Sequence, residues 1–213
     1  MENKIIYLFL IIFFIWLYVR YASKQKSAYI DSYDFHHGLI AKFKKTRPEL
    51  NDAQVTSIAL GLKDYFKICQ MAKKDFVSMP SQVVDDLWHE FILFTRQYQR
   101  FCKSAFGRYL HHTPAEAMQG QNIASDGLKR AWKYACKLEN IDPNAPARLP
   151  RLFALDAMYK IENGFYYNKD CKNSNSAGYC ASDIGCSGHS GCGGSSNTGS
   201  SCGSSCGSGC GGD

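Results

Sequence analysis

Apolar residues form one unbroken run early in the chain, from Ile5 to Val19, and are spaced at intervals through the residues that follow. A helix of about 20 apolar residues spans a typical bilayer. This run is shorter, but Lys4 and Arg20 bracket it, and charged side chains at helix ends extend towards the aqueous interface. We therefore predict a single transmembrane helix between Ile5 and Val19, within an anchor that comprises residues 1–23.

A cleaved signal peptide is the alternative interpretation of this run. Signal peptides carry positive charge before the apolar segment and a small-residue cleavage site after it. Here the basic residues Arg20, Lys24 and Lys26 follow the run, and the residues after Val19 form a poor cleavage site. Because Lys and Arg are retained on the cytoplasmic side, we predict that the N-terminus lies outside and that the rest of the chain is cytoplasmic.

In residues 24–167 the apolar positions recur three and four residues apart, as they do in amphipathic helices. The predicted helices are residues 29–45, a helix that Asn51 or Asp52 caps and that ends near Lys73, and residues 82–105, 114–119, 125–139 and 150–161. No segment shows sustained apolar–polar alternation bounded by turn signals, so we predict no sheet. The expected fold class is all-α, with a multi-helix cytoplasmic domain attached to the transmembrane helix.

The helix predicted at residues 82–105 organises this domain. Its apolar face consists of Val84, Leu87, Trp88, Phe91, Thr95, Tyr98 and Cys102. Ser81 is the predicted N-cap, because serine accepts a hydrogen bond from the first turn of a helix. Asp85 and His89 lie beside the apolar face, and residues four apart share one flank of a helix. The sequence therefore predicts a carboxylate and an imidazole side by side.

Asp85 and His89, together with His111 and His112 from the next segment, form a candidate metal site. A carboxylate and two or three imidazoles are enough to bind zinc or another divalent metal with one position open for water. Adjacent histidines do not easily point into one site, so either His111 or His112 is expected to join. The alternative is a structural polar cluster in which His89 bonds to Asp85 or to a backbone carbonyl.

A nucleophilic cysteine paired with His111 or His112 is a second arrangement that the composition allows. Cys102 lies in the middle of the apolar face of the predicted helix. A buried thiol without a basic neighbour is inert, because the thiolate is the reactive form. We therefore predict that Cys102 is a core residue.

The stretch VDDLWHEFILFTRQYQRFC, followed by FGRYLHHTP, resembles the glycine-rich domain-containing protein family. That family carries an Asp-x-x-x-His or Trp-His helix and ends in a glycine-rich tail. The resemblance covers the middle of the chain, and the tail agrees in composition. The family pattern often reads Trp-His-x-His, and Phe91 stands at the position of the second histidine. The resemblance implies a fold and carries no particular chemistry.

Residues 168–213 consist mainly of Gly, Ser and Cys, and a segment of this composition is predicted to be disordered. Its thiols are Cys171, Cys180, Cys186, Cys192, Cys202, Cys206 and Cys210. No pair has the Cys-x-x-Cys spacing of structural zinc sites. Flexible thiolates can still gather a soft metal, and disulfides do not persist in a reducing cytoplasm. The alternative is a low-complexity tail whose cysteines have no single role.

The net charge of +6 is concentrated between Lys24 and Arg47. Nucleic acid is an unlikely partner, because no binding motif is present and the basic cluster adjoins the membrane segment, where anionic lipid attracts it. Two functions fit the sequence. One is a membrane-anchored binding or scaffold module that recognises a protein partner. The other is a metal-dependent, hydrolase-like enzyme centred on Asp85 and His89 with His111 or His112, in which the metal activates water.

Overall fold

A computed structural model describes residues 2–113, 121–168, 179–180, 184 and 209–211. The helices are α1 (Glu2–Ser32), α2 (His37–Thr46), α3 (Asp52–Ala72), α4 (Gln82–Leu93), α5 (Thr95–Phe106), α6 (Gln121–Leu138) and α7 (Arg151–Tyr159). The strands are β1 (Val77–Ser78), β2 (His111–Thr113), β3 (Tyr167–Asn168), β4 (Tyr179–Cys180) and β5 (Gly209–Gly211). Helices therefore dominate the described chain, as predicted.

Helix α3 runs through the centre of the domain and packs against α1, α4, α6 and α7. Asn51 begins it with a capping box, in which Asn51 and Gln54 each accept a backbone hydrogen bond from the other. Gly61 is the point of closest approach, since a Cβ there would lie 2.6 Å from a methyl carbon of Leu155 and 3.2 Å from one of Val84. The glycine thus allows α4 and α7 to pack tightly on α3.

The prediction of one helix over residues 82–105 is wrong, because the helix is interrupted at Phe94 (φ −81°, ψ 57°) and continues in a new direction as α5. In a straight helix the Cα atoms of Trp88 and Tyr98 would stand about 15 Å apart. The break brings the Tyr98 hydroxyl to 3.1 Å from Trp88 Nε1. Burial of this aromatic pair favours the bend over a continuous helix.

The single helix predicted at residues 29–45 is also wrong. Helix α1 continues from the apolar run to Ser32, and α2 begins at His37. His36 caps α2, because its Nδ1 accepts a hydrogen bond from the Gly38 amide at 3.0 Å.

The prediction that no sheet forms is wrong, and the all-α class is corrected to a mainly helical fold with two small sheets. β5 lies between β1 and β2 and is antiparallel to both, while β3 and β4 form a parallel pair. Each strand has two or three residues, which is too short to display alternation. Disorder of residues 168–213 is not confirmed, because β4, β5 and the buried Ile184 lie against the domain.

Helix α6 begins at Gln121, four residues before the predicted start at residue 125. Helix α7 begins after Pro150, as predicted, and ends at Tyr159. The short helix predicted at residues 114–119 lies outside the described residues.

Helix α1 has two unlike halves. The side chains from Ile5 to Val19 are all exposed, whereas Ile30, further along the same helix, is fully buried. The span from Lys4 to Ser32 is long and apolar enough to cross a membrane. The chain therefore carries an apolar helix that leaves the domain without a break.

Candidate metal centre

Helix α4 supplies the first two side chains of the centre. Ser81 caps it as predicted, with its hydroxyl 3.4 Å from the Val84 amide. Asp85 is in the first turn and His89 one turn later, and the imidazole Nδ1 lies 3.4 Å from a carboxylate oxygen of Asp85. The i, i+4 spacing alone brings these two groups together, as the sequence predicts.

The third side chain, His112, comes from β2. Its Nε2 lies 3.2 Å from the other carboxylate oxygen of Asp85, and its ring centroid lies 4.2 Å from that of His89. One ligand atom from each of these three residues lies within 4.8 Å of the other two. A metal ion could therefore bind between them after small side-chain adjustments, since metal–ligand distances to nitrogen and oxygen are about 2.0–2.2 Å.

Aromatic residues hold β2 in this position. Trp88 contacts the edge of the His112 ring, with centroids 4.6 Å apart. The Tyr98 hydroxyl accepts a hydrogen bond from Trp88 and donates one of 2.6 Å to the Leu110 carbonyl, just before β2. Burial raises the pKa of Tyr98 above its ordinary value, so the hydroxyl keeps its proton and remains a donor. The strand that carries His112 is thus fixed to α4 and α5.

Exposure differs across the centre. The side chains of Asp85 and His112 are 6% and 8% exposed, whereas that of His89 is 50% exposed. The centre is therefore closed on the domain side and open to solvent beside His89. A metal bound there would have protein ligands on one side and room for water on the other, as catalytic zinc sites do.

The imidazole of His89 is oriented by its own helix. Its Nδ1 lies 2.9 Å from the backbone carbonyl oxygen of Asp85. Metal-binding histidines commonly donate one ring N–H to a carbonyl, which leaves the other nitrogen as the ligand. By this rule Nε2 of His89 is the atom available to a metal. The same contacts also suit a cluster without metal, in which both imidazoles bond to Asp85.

His111 does not join the other three residues. It is exposed and its ring contacts that of Tyr109, with centroids 4.7 Å apart. Neighbouring residues of a strand point to opposite faces, which explains why only one of the two histidines approaches Asp85. The sequence indicates that either His111 or His112 joins the site, and no pattern in it distinguishes between the two.

Two of the tail cysteines lie on described backbone. Cys180 is in β4, and Cys210 is in β5 in direct register with His112. This proximity of the tail to the His112 strand could not be predicted, because no pattern within the tail indicates a strand. The other five, Cys171, Cys186, Cys192, Cys202 and Cys206, lie outside the described residues.

Cys69, Cys102 and Cys136 are buried in the helical domain. Burial raises the pKa of Cys102 and raises that of Cys136 to about 12. At pH 8 the thiolate fraction of Cys136 is then about one in ten thousand.

We expect iodoacetamide at pH 8 to leave Cys102 and Cys136 unmodified in the native chain and to label both in urea, as measured by peptide mass spectrometry. Equal labelling rates in the two conditions would contradict the assignment of both thiols to the core.

A family model described as UCP032817-like matches residues 25–188, which include the helical domain and all three residues of the centre. Neither the curated proteins nor the solved structures contain a match to the chain. The matched description differs from the glycine-rich domain-containing family, and the resemblance to that family stays a prediction.

Proposed function

The chain belongs to the UCP032817-like family, and from its own residues we propose that it is a membrane-anchored helical binding module that holds a divalent metal such as zinc at Asp85, His89 and His112. Its helical domain would recognise a protein partner on the cytoplasmic side. The family description names no activity, so the proposal rests on the chain's own residues.

One observation supports the metal most directly. His112 lies 27 residues beyond Asp85, yet its imidazole meets the two groups that α4 places side by side. A buried carboxylate needs a cation or several hydrogen-bond donors to offset the cost of leaving water. His112 Nε2 lies 3.2 Å and His89 Nδ1 3.4 Å from the oxygens of this carboxylate, and the three groups together can hold such a cation. The carboxylate–imidazole set is the donor chemistry that zinc prefers.

The membrane anchor is supported by the exposed apolar half of α1 and by the charge beside it. The exposed run from Ile5 to Val19 is far larger than the apolar patches that soluble monomers tolerate. Lys24 and Lys26 follow on the domain side, and a basic segment beside a membrane helix favours the cytoplasmic location that we propose for the domain.

Metal content of the full chain, purified under reducing conditions, tests the metal proposal. We expect near-stoichiometric zinc by plasma mass spectrometry, both in the natural chain and in a variant with all seven tail cysteines replaced by serine. Loss of zinc in the serine variant alone would assign zinc binding to the tail cysteines. Absence of zinc from both chains after dialysis against micromolar metal would overturn the proposal.

Serine substitution is a cleaner test than truncation at Asn168. Truncation would also remove β5, which pairs with the His112 strand, and metal would then be lost even if the thiols never bound it. Cys→Ser changes keep the β5 backbone, so the thiol contribution is measured separately from the strand.

The open side at His89 favours a second candidate function, a metal-dependent hydrolase. Three protein ligands and an accessible fourth position allow a bound metal to lower the pKa of water and generate a nucleophile near neutral pH. Hydrolysis of p-nitrophenyl acetate or phosphate by the zinc-loaded chain, lost when His89 is replaced by alanine, would support this candidate. Zinc binding without hydrolysis would support the binding module over the hydrolase.

A further inference from the structure

A basic cavity lies where α1 enters the domain. Its volume is about 370 Å³, and it is bordered by the end of the apolar run of α1, the C-terminal end of α3 and the turn after α5. Four cationic side chains line it: Lys26, Lys73, Lys74 and Arg108. No acidic residue is among the described residues that line it. We propose that this cavity, which we call the basal cavity, binds a phosphate group at the membrane surface, supplied by the headgroup of an anionic phospholipid.

The polar contacts of the cavity leave hydrogen-bond donors free. Lys26 Nζ donates to the Phe106 carbonyl at 3.2 Å, and Arg108 Nη2 donates to the Lys73 carbonyl. An ammonium has three N–H donors and a guanidinium has five. Arg108 Nη1 is buried and has no hydrogen-bond partner among the described residues. A buried guanidinium nitrogen without an acceptor is costly, and a small rotation of the Arg108 side chain into the cavity would give it a phosphate oxygen as acceptor.

The local backbone explains why Arg108 reaches the cavity. Gly107 ends α5 in the left-handed conformation, at φ 77°, which turns the chain back towards α1. A Cβ at Gly107 would lie 3.4 Å from Lys26 Nζ. Gly107 therefore lies beside the Lys26 ammonium, and the guanidinium of the next residue lines the same cavity. Guanidinium groups bind phosphate oxygens in pairs.

The position of the cavity along the membrane normal fits a lipid headgroup. Tyr18 and Val19, the last residues of the apolar run, line it together with Lys26. Lys26 follows Val19 by seven residues, which is about 10 Å along a helix. The headgroup region adds roughly 5–8 Å to each side of the hydrocarbon core. If the apolar run lies in the bilayer, the Lys26 backbone stands at the outer edge of this region, from which a lysine side chain reaches the phosphates.

A short apolar run strengthens this placement. From Ile5 to Val19 the helix is about 22 Å long, against a hydrocarbon core of about 30 Å. Such a mismatch draws the flanking residues towards the bilayer. The inference rests on the proposed membrane insertion of α1 and is independent of the metal.

The test uses the full chain in nanodiscs of phosphatidylcholine, with and without phosphatidylserine, and counts retained lipids by native mass spectrometry. We expect the natural chain to retain phosphatidylserine selectively. The double variant Lys26→Gln/Arg108→Gln should bind it about tenfold more weakly. The matched control Lys24→Gln/Arg100→Gln removes the same charge at exposed positions outside the basal cavity and should retain the preference.

A second arm titrates inorganic phosphate into the chain in phosphatidylcholine nanodiscs. Binding of phosphate that needs Lys26 and Arg108, without retention of phosphatidylserine, would assign the cavity to a free phosphate ion and overturn the lipid source. Equal loss of lipid in the double variant and its control, or binding in neither arm, would overturn the phosphate site itself.

Two controls keep the outcomes distinct. The single change Lys74→Gln affects an exposed lysine and should weaken lipid retention without altering the fold, so misfolding of the double variant cannot be mistaken for support. Flotation with phosphatidylcholine vesicles tests the anchor separately. A chain that fails to float contradicts the membrane proposal, whereas one that floats without lipid preference contradicts the basal cavity alone.

Discussion

Replacing Asp156 by alanine is expected to destabilise the domain by about 4 kcal/mol, a large part of the roughly 5–15 kcal/mol that keeps a typical domain folded. Asp156 is a buried carboxylate in α7. One oxygen accepts hydrogen bonds from the Ser81 hydroxyl at 2.7 Å and the Val83 amide at 3.2 Å. The other accepts from the amides of Gln82 at 2.7 Å and Phe165 at 2.8 Å.

Three of these four donors belong to the N-terminus of α4, so a carboxylate from a distant helix helps to cap the helix that carries the metal centre. A negative charge at that position also interacts favourably with the helix dipole. Alanine would leave all four donors without their acceptor inside the domain, and each buried donor without a partner costs about 1–3 kcal/mol. Gly164 allows the backbone that follows α7 to pass close to Asp156, because a Cβ at this glycine would lie 2.8 Å from the Cβ of Asp156.

The measurement is thermal unfolding of the full chain in detergent, followed by the fluorescence of Trp88 and Trp132, which are both buried. We expect the midpoint to fall by about 10 °C or more in Asp156→Ala. Asp126→Ala, at an exposed position, should leave it almost unchanged. Asp156→Asn keeps one acceptor oxygen and should fall between the two. A shift below about 2 °C for the alanine variant would show that α4 does not depend on this carboxylate.

The second large effect is expected for the affinity of the proposed centre for zinc. His112→Ala removes one of the three proposed ligands and should weaken zinc binding by at least about 100-fold, since even residues that only orient ligands contribute about 10–100-fold. The adjacent His111→Ala is a matched control, because this histidine is exposed and lies outside the group of three. Competition with a chromophoric zinc chelator measures both affinities on the full chain.

Equal affinity in the His112 and His111 variants would contradict the centre, and so would an unchanged affinity in Asp85→Ala. Loss of affinity only in the His112 variant, with a normal unfolding midpoint, would distinguish a ligand from a structural histidine. A purely structural cluster predicts the opposite result, a lowered midpoint with no effect of zinc on stability.

The parts of the fold that follow from neighbouring residues could be predicted from the sequence. The apolar face that includes Val84, Leu87 and Trp88 is buried, because a 3.6-residue period determines which side of a helix faces the core. Asp85 and His89 meet because they are one turn apart. These outcomes depend on spacing within one helix and need no knowledge of the rest of the chain.

The remaining parts depend on contacts between distant residues. The helix break at Phe94 occurs without glycine or proline, and the Trp88–Tyr98 contact outweighs local helix propensity there. His112 joins Asp85 only because Gly107 turns the chain and β2 is held by Leu110 and β5. Asp156 caps α4 from another helix. No local pattern records these pairings, so the sequence could not predict them.

The order of strands in the larger sheet has a consequence for how the protein is made. Among the strands that the structure describes, β1 and β2 are joined only through β5, the last of these strands in the chain. Pairing β2 with β5 closes a loop of about 100 residues, which carries a substantial entropic cost and slows folding. At synthesis rates of about 5–20 residues per second, the His112 strand emerges roughly 5–20 seconds before its partner. During that interval β2 lacks its β5 partner, and the hydrogen bond from Tyr98 to Leu110 has to hold the His112 strand against the domain.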